Sequence, residues 1–402
     1  MMTRLVILAL MLFSVYMNAQ EMDSAKVEYQ NLADKLMVKD GNLTIGGYGE
    51  VNYNQPLSSD MRKNGTLDVN RLVMLFGYKF SERAQFITEI EFEHVKEVYI
   101  EQAFLQYKIN KSINFRGGLL LIPMGIINEY HEPTTFNGVL RPLLDNTISP
   151  TTWREIGFGF NGNHLAPSLK YQVYMVNGFS GYTESAGRQL NGKSGFRNGR
   201  QKGAQSYISS PNFTAKVEYY GIKGLNIGLS GYFGNTQSSL YNNLKDDDLE
   251  TKALADSSVV GISMVGVDFR YSLKGLQLRG QFYYSNISNT LQYNTLSIAG
   301  NVNDLGSAMG GYYLEAAYNV LRPLTKVKSE LVPFVRYEEF NTHYAIEDVV
   351  SKNLAYHKTI ITTGLGWKMT KGSVLKADLQ FVKTEADSKF AKVFSAGLGV
   401  MF

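Results

Sequence analysis

The stretch Lys392-Val-Phe-Ser-Ala-Gly-Leu-Gly-Val-Met-Phe402 decides the fold. Read at period two, Phe394, Ala396, Leu398, Val400 and Phe402 share one face, while Ser395, Gly397 and Gly399 share the other. A tilted strand of about 9–11 residues spans the hydrocarbon of a bilayer. One face is apolar and ends in an aromatic; the other is small enough to look into a wet interior. Taken alone, the stretch fits a half-buried strand of a soluble sandwich equally well, and the rest of the chain decides between the two.

From Leu43 onward the same alternation recurs. Ile45, Gly47, Gly49, Val51 and Tyr53 alternate with Gly46, Tyr48, Glu50 and Asn52. Leu72, Met74, Phe76, Tyr78 and Phe80 oppose Arg71, Val73, Leu75, Gly77 and Lys79. Later strands repeat the pattern, and the reading predicts about sixteen in all. Connections alternate in length. Short turns at 81–84, 110–112, 221–224 and 272–275 interleave with long links at 54–66, 122–154, 179–210, 236–258 and 286–307. Short periplasmic turns and long outer loops are the pattern of outer-membrane barrels. Repeats of fixed period are absent, which argues against a propeller. In a bilayer an open edge would leave unpaired N–H and C=O groups, so the sheet has to close. The expectation is an all-β, antiparallel transmembrane barrel over 43–402.

Composition agrees. Tyr (26), Phe (22) and Gly (38) are abundant in the 402 residues and Pro (9) is scarce, which favours strands. Cysteine is absent, excluding a disulfide framework and a thiol nucleophile. The formal net charge of +4 is scattered and gives no reason to expect nucleic acid. Arg4, the apolar run from Leu5 to Met17 and small Ala19 read as a signal peptide over 1–19. Residues 20–42 read as an N-terminal periplasmic segment, with a short helix between Glu21 and Asp40 or a disordered lead-in.

If the apolar face meets lipid, the other face is the lumen. Parity along the strands puts Arg71, Lys79, Arg116, Lys170, Lys216, Arg270, Arg279 and Arg336 inward, with acids that include Glu89 and Glu91. A Lys or Arg on the lipid face would cost about 2–4 kcal/mol at the midplane, so so many inward charges predict a wet, open interior. Bases and acids are nearly balanced, and pairing across strands accounts for them as readily as an anion ladder does. The long link 122–154, rich in Pro and Leu, is the candidate for a third loop folded into the barrel. Its Glu129, His131, Glu132, Arg141 and Asp145 would then narrow the pore. The alternative is a surface loop packed on a neighbouring subunit. Phe394, Leu398, Val400 and Phe402 also read as a C-terminal signal for the barrel-assembly machinery.

Three segments, Tyr99-Ile-Glu-Gln-Ala-Phe-Leu-Gln-Tyr107, Phe115-Arg-Gly-Gly-Leu-Leu-Leu-Ile-Pro-Met-Gly125 and Arg154-Glu-Ile-Gly-Phe158, resemble the phosphate-selective porin O and P family in its Bacteroidetes branch. The resemblance implies a sixteen-stranded, usually trimeric porin in the outer membrane of a Gram-negative bacterium. Arg116 and Arg154 coincide with motif positions; the family's arginine ladder does not otherwise align.

Catalytic chemistry finds no support. The five histidines show no metal-ligand spacing, and nucleophile-elbow, P-loop and dinucleotide fingerprints are missing. Asp246-Asp-Asp248 reads as a solvated loop tip, with a divalent cation as the alternative. No cofactor is expected. The function expected is passive diffusion of small hydrophilic solutes, with inorganic anions or phosphate favoured; the alternative is a non-conducting barrel serving as an adhesin or in a secretion or uptake assembly. Expected partners are outer-membrane lipid, the assembly machinery and two further copies of the chain.

Overall fold

The computed structural model describes residues 30–57, 61–164, 168–245 and 247–402. The expected signal peptide and residues 20–29 of the 20–42 segment lie outside them. Sixteen antiparallel strands form one closed barrel. They are β1 (Leu43–Leu57), β2 (Thr66–Lys79), β3 (Ala84–Glu93), β4 (Glu97–Lys108), β5 (Asn114–Leu121), β6 (Arg154–His164), β7 (Leu169–Val176) and β8 (Asn212–Ile222). The second half is β9 (Leu225–Asn235), β10 (Gly261–Leu273), β11 (Leu276–Ser288), β12 (Ala308–Tyr318), β13 (Glu330–Ala345), β14 (His357–Thr370), β15 (Ser373–Thr384) and β16 (Ala391–Met401).

Each strand pairs with the next, and the stretch that opened the reading closes the ring. β16 pairs with β1 from Tyr48 opposite Met401 to Leu57 opposite Lys392. Gly47 and Phe402 extend the seam with reciprocal N–H···O bonds of 3.1 and 2.9 Å. Closure satisfies every edge that lipid could not.

The two faces sort as parity requires. The outward face is apolar and exposed: Leu72, Phe158, Val173, Phe213, Leu229, Val267, Leu314 and Val335 stand open around the wall. Leu229 is 61 % exposed at mid-strand, with Val217 and Val267 as cross-strand neighbours. So continuous an apolar belt is stable against lipid and unstable against water. Phe394, Leu398, Val400 and Phe402 belong to it.

Parity breaks at bulges. In β2 the register shifts at Asn70, between Val69 and Arg71, opposite Val51 and Glu50. In β4 it shifts opposite Glu89 and Ile90, so that Glu101 and Gln102 are both buried. A bulge re-aims a side chain, and here it turns Glu101 inward against the period-two pattern.

Within the predicted helical segment, α1 spans Leu32–Val38. Asn31 caps it, its Oδ1 accepting from Asp34 N–H at 2.8 Å. Leu32, Ala33 and Leu36 are buried. A seven-residue helix is too short to persist alone, so its packing holds it. That packing lies inside the barrel at the short-turn mouth: Leu32 and Leu36 touch Gly46, and Lys170 Nζ reaches Asp34 Oδ2 at 3.1 Å.

One prediction tests the belt. Leu229→Arg lowers the unfolding free energy of the barrel in lipid vesicles by about 2–4 kcal/mol, read from denaturant titration. In a soluble sandwich the same exposed position would tolerate arginine.

Candidate functional site

The inward loop fills much of the lumen, where the sequence reading expected an open, wet interior. Residues 122–153, between β5 and β6, fold into the barrel and include the short helix α2 (Leu144–Thr147). Most of this loop is buried. Loop backbone held away from water needs partners for its N–H and C=O groups, and the inward charges of the wall supply them. Lys376 Nζ donates to the carbonyls of Phe136 (2.7 Å) and Gly138 (2.9 Å). Asp378 Oδ2 accepts from Val139 N–H at 2.6 Å, and Glu338 Oε2 from Leu144 N–H at 3.2 Å. Lys216 Nζ donates to the Gly125 carbonyl at 2.6 Å, and Arg279 to that of Thr135 at 3.0 Å.

The loop is tied at its neck. Asn128 Nδ2 donates to the carbonyls of Ile122 and Trp153, and its Oδ1 accepts from Trp153 N–H, all at 2.8 Å. The buried Trp153 indole donates to Glu155 and stacks on Phe179 at 4.5 Å between centroids. Phe179, Leu190 and Phe196, in the link after β7, roof the loop from the long-loop side, with Phe196 N–H on the Thr147 carbonyl. From the other side α1 presses up: Leu32 N–H donates to Glu132 Oε1 at 2.7 Å. Three layers therefore occupy the bore: outer-loop roof, inward loop and helix.

The structure puts the five loop residues inside the barrel, with Glu129, His131 and Asp145 meeting its wall. Glu129 accepts from Lys216 Nζ at 2.8 Å. His131 lies 3.2 Å from Glu101 and 3.6 Å from Glu89. Glu132 receives α1, Arg141 donates to the His131 carbonyl at 2.9 Å, and Asp145 accepts from Tyr283 Oη at 2.8 Å. Burial pushes the Asp145 carboxyl up to about 8. Burial alone would lower the His131 imidazole, but the adjoining Glu101 carboxylate outweighs it and raises the group to about 10.

The wall residues pair as well. Arg71 bridges Glu50 (2.8 Å) and Glu91 (3.0 Å). Arg270 meets Glu218, Arg279 meets Glu315, and Arg336 joins Glu315 to Glu338. Arg116 bonds Gln106 and covers the Phe104 ring. Glu89 accepts from Gln102 and Tyr48, while Lys79 donates to the Lys39 carbonyl. Asp246 lies outside the described residues; Asp248 caps the helix α3 (Leu249–Ser257) by accepting from Thr251 N–H at 3.0 Å.

Parity reading missed Glu101, because the bulge hides it, and Asn128 and Trp153, which carry no charge to flag them. It missed a further role for Gly399 and Gly397. A Cβ on Gly399 would come within 2.7 Å of Pro133, and one on Gly397 within 3.0 Å of Val139. These glycines make room for the loop, rather than for water.

At the short-turn mouth, beside α1, a vestibule of about 270 Å³ remains. Lys35, Arg270, Arg279 and Lys368 line it, with Tyr130, Gln277 and other neutral residues and no carboxylate among the described residues.

No family model matches the chain. A protein of Aquifex aeolicus, described as uncharacterized, is 30% identical over 380 residues, which is 91% of this chain and 81% of that protein. Among solved structures, the anion-selective porin from Comamonas acidovorans superposes with a TM-score of 0.56 at 11% identity, over 90% of this chain and 99% of that one. The outer-membrane channel DcaP of Acinetobacter baumannii gives 0.57 at 12%, over 90% and 97%. OmpT of Vibrio cholerae, in a trimer form, gives 0.52 at 13%, over 90% and 100%. The barrel is thus the fold of Gram-negative outer-membrane porins.

Removing the neck ties the loop's fate to one residue. Asn128→Ala strands buried backbone groups at about 1–3 kcal/mol each. Hydrogen exchange over 122–153 is expected to quicken markedly while the strands keep their protection; unchanged exchange in the loop would count against the clamp.

Proposed function

The chain belongs to one family with the Aquifex aeolicus protein and has the fold of outer-membrane porins, and on that footing we propose that it is an outer-membrane channel for small hydrophilic solutes with a preference for anions. The observation that carries the preference is the vestibule. Its four cationic side chains face no carboxylate in the lining, and a ring of bases at a pore mouth concentrates anions and repels cations. Arg270 and Arg279 are held in place by Glu218 and Glu315. The likeness to phosphate-selective porins makes phosphate the anion to try first. Homotrimer assembly draws support from the trimeric OmpT.

Conduction on this reading requires α1 and the inward loop to give way. α1 is the weaker obstacle: it has seven residues, three of them buried, and is tied by the Asn31 cap, the Lys170 pair and the Leu32 bond to Glu132. A specific observation favours the second reading, a barrel that does not conduct. Lys216, Arg336, Glu338 and Asp268 are each at most 1 % exposed, which suits a plugged scaffold presenting its outer loops to a partner.

Planar-bilayer recording separates the two. The wild-type protein is expected to show small, infrequent openings, and Leu36→Asp, which unseats α1, to raise open probability several-fold. Replacing Arg270, Arg279 and Lys368 by Gln is expected to move the reversal potential in a KCl gradient towards the potassium value. Silence from both the wild type and Leu36→Asp, in protein that folds, would establish the scaffold reading instead.

A further inference from the structure

Beside the neck of the inward loop, donors from three separate segments converge. Glu89 stands on β3, Glu101 on the bulge of β4 and His131 in the loop. Their ligand atoms all lie within 4.8 Å of one another, and each residue is buried. Tyr48 Oη lies 3.0 Å from Glu89 Oε1 and 3.3 Å from Glu101 Oε2.

Hydrogen bonding fixes how the imidazole is presented. His131 Nδ1 is 3.0 Å from the Asn128 carbonyl oxygen, which can only accept, so Nδ1 carries a hydrogen. Nε2 then faces the two carboxylates at 3.2 and 3.6 Å. One nitrogen lone pair and two carboxylate oxygens can converge so closely only around something positive, either a proton or a metal ion. Those separations are also those of neighbouring ligands about an ion with bonds of about 2.0–2.2 Å. An Nδ1–H bond to a backbone carbonyl is the arrangement that orients metal-ligating imidazoles.

A second observation points the same way. Glu132, next in sequence, is 3 % exposed. Its Oε1 receives the Leu32 N–H, but its Oε2 has no hydrogen-bond partner among the described residues. With Glu89 and His131 it lines a cavity of about 10 Å³. That is room for about one water molecule.

We propose that Glu89, Glu101 and His131 bind one divalent transition-metal cation of the zinc class, with a water from the cavity beside Glu132 completing its shell. One imidazole among carboxylates suits zinc or its first-row neighbours better than calcium or magnesium, which prefer all-oxygen shells. Two carboxylates balance the charge of the dication. As the ion arrives, Nε2 releases its proton to solvent and gives its lone pair to the metal. The ion staples the inward loop to β3 and β4, directly beneath the contact of Glu132 with α1, so occupancy holds two of the three layers in the bore.

Zinc binding to the purified full chain in detergent is the test, with Zn²⁺ itself as the probe. About one tightly held equivalent per chain is expected, and its X-ray absorption spectrum is expected to show a single imidazole among oxygen ligands at about 2.0 Å. Glu101→Gln and His131→Gln are expected to weaken binding on the order of 100-fold or more. Replacing the surface histidines His94, His164 and His357 by Gln is expected to leave it intact. His343 is no competitor, since its ring nitrogens engage the Asp304 carbonyl (2.6 Å) and Asn353 N–H (3.1 Å). Absence of stoichiometric binding in the wild type means a proton-held triad only and overturns the proposal. So does a spectrum without imidazole, or binding abolished in the surface-histidine variant. The wild-type and surface-variant measurements decide the matter even where the His131 variant does not fold.

Discussion

Backbone that enters a barrel's bore has to be hydrogen-bonded there, and most of the interior of this protein answers that requirement. Loop 122–153 brings a long run of carbonyls and N–H groups into a largely buried space. The wall meets them with Lys376, Asp378, Glu338, Lys216 and Arg279, each bonded to a named backbone atom. Buried ions are expensive unless paired and fully bonded. Here the lining charges pair with one another, and several of them also bond the loop backbone. The ionic lining is thus both the wall of a bore and the receptor for its own plug.

Strength is distributed unevenly among the three layers. The inward loop is clamped at its neck by Asn128 and anchored along its length, whereas α1 holds through Leu32, Ala33, Leu36, the Asn31 cap, the Lys170 pair and one bond to Glu132. The element with the fewest buried contacts opens first in a cooperative structure. On the proposed channel reading, α1 is therefore the layer to yield first, at the short-turn mouth where the cationic vestibule adjoins it. The cluster of Glu89, Glu101, His131 and Glu132 lies at the junction of wall, loop and helix, so whatever positive species it holds bears on all three.

The glycine face of β16 shows how a correct pattern can carry an incorrect inference. Ser395, Gly397 and Gly399 do point inward, as alternation requires, yet small inward residues do not mean water. Pro133 and Val139 of the loop occupy the space that a larger side chain would take. Charge was misleading in the same way. Lys216 and Arg336 are inward as read, but the loop, whose seat no local pattern could give, covers them.

What the sequence determined by itself was whatever depends on neighbours along the chain. Period-two alternation, the rhythm of short and long connections and the apolar end at Phe402 suffice for sixteen strands, a closed sheet and an outward belt, because lipid forbids an open edge. The inward candidacy of residues 122–154 was legible too, since so apolar a link needs cover. Tertiary structure alone decided what depends on register and on segments far apart in sequence. A single bulge opposite Glu89 turned Glu101 into the bore, and no alternation rule sees a bulge. The seat of His131 between Glu89 and Glu101, and the descent of α1 onto Glu132, join residues from about 30 to 100 positions apart. Such contacts are fixed by closure of the barrel, which brings distant strands around a common bore, and not by any preference the local sequence expresses.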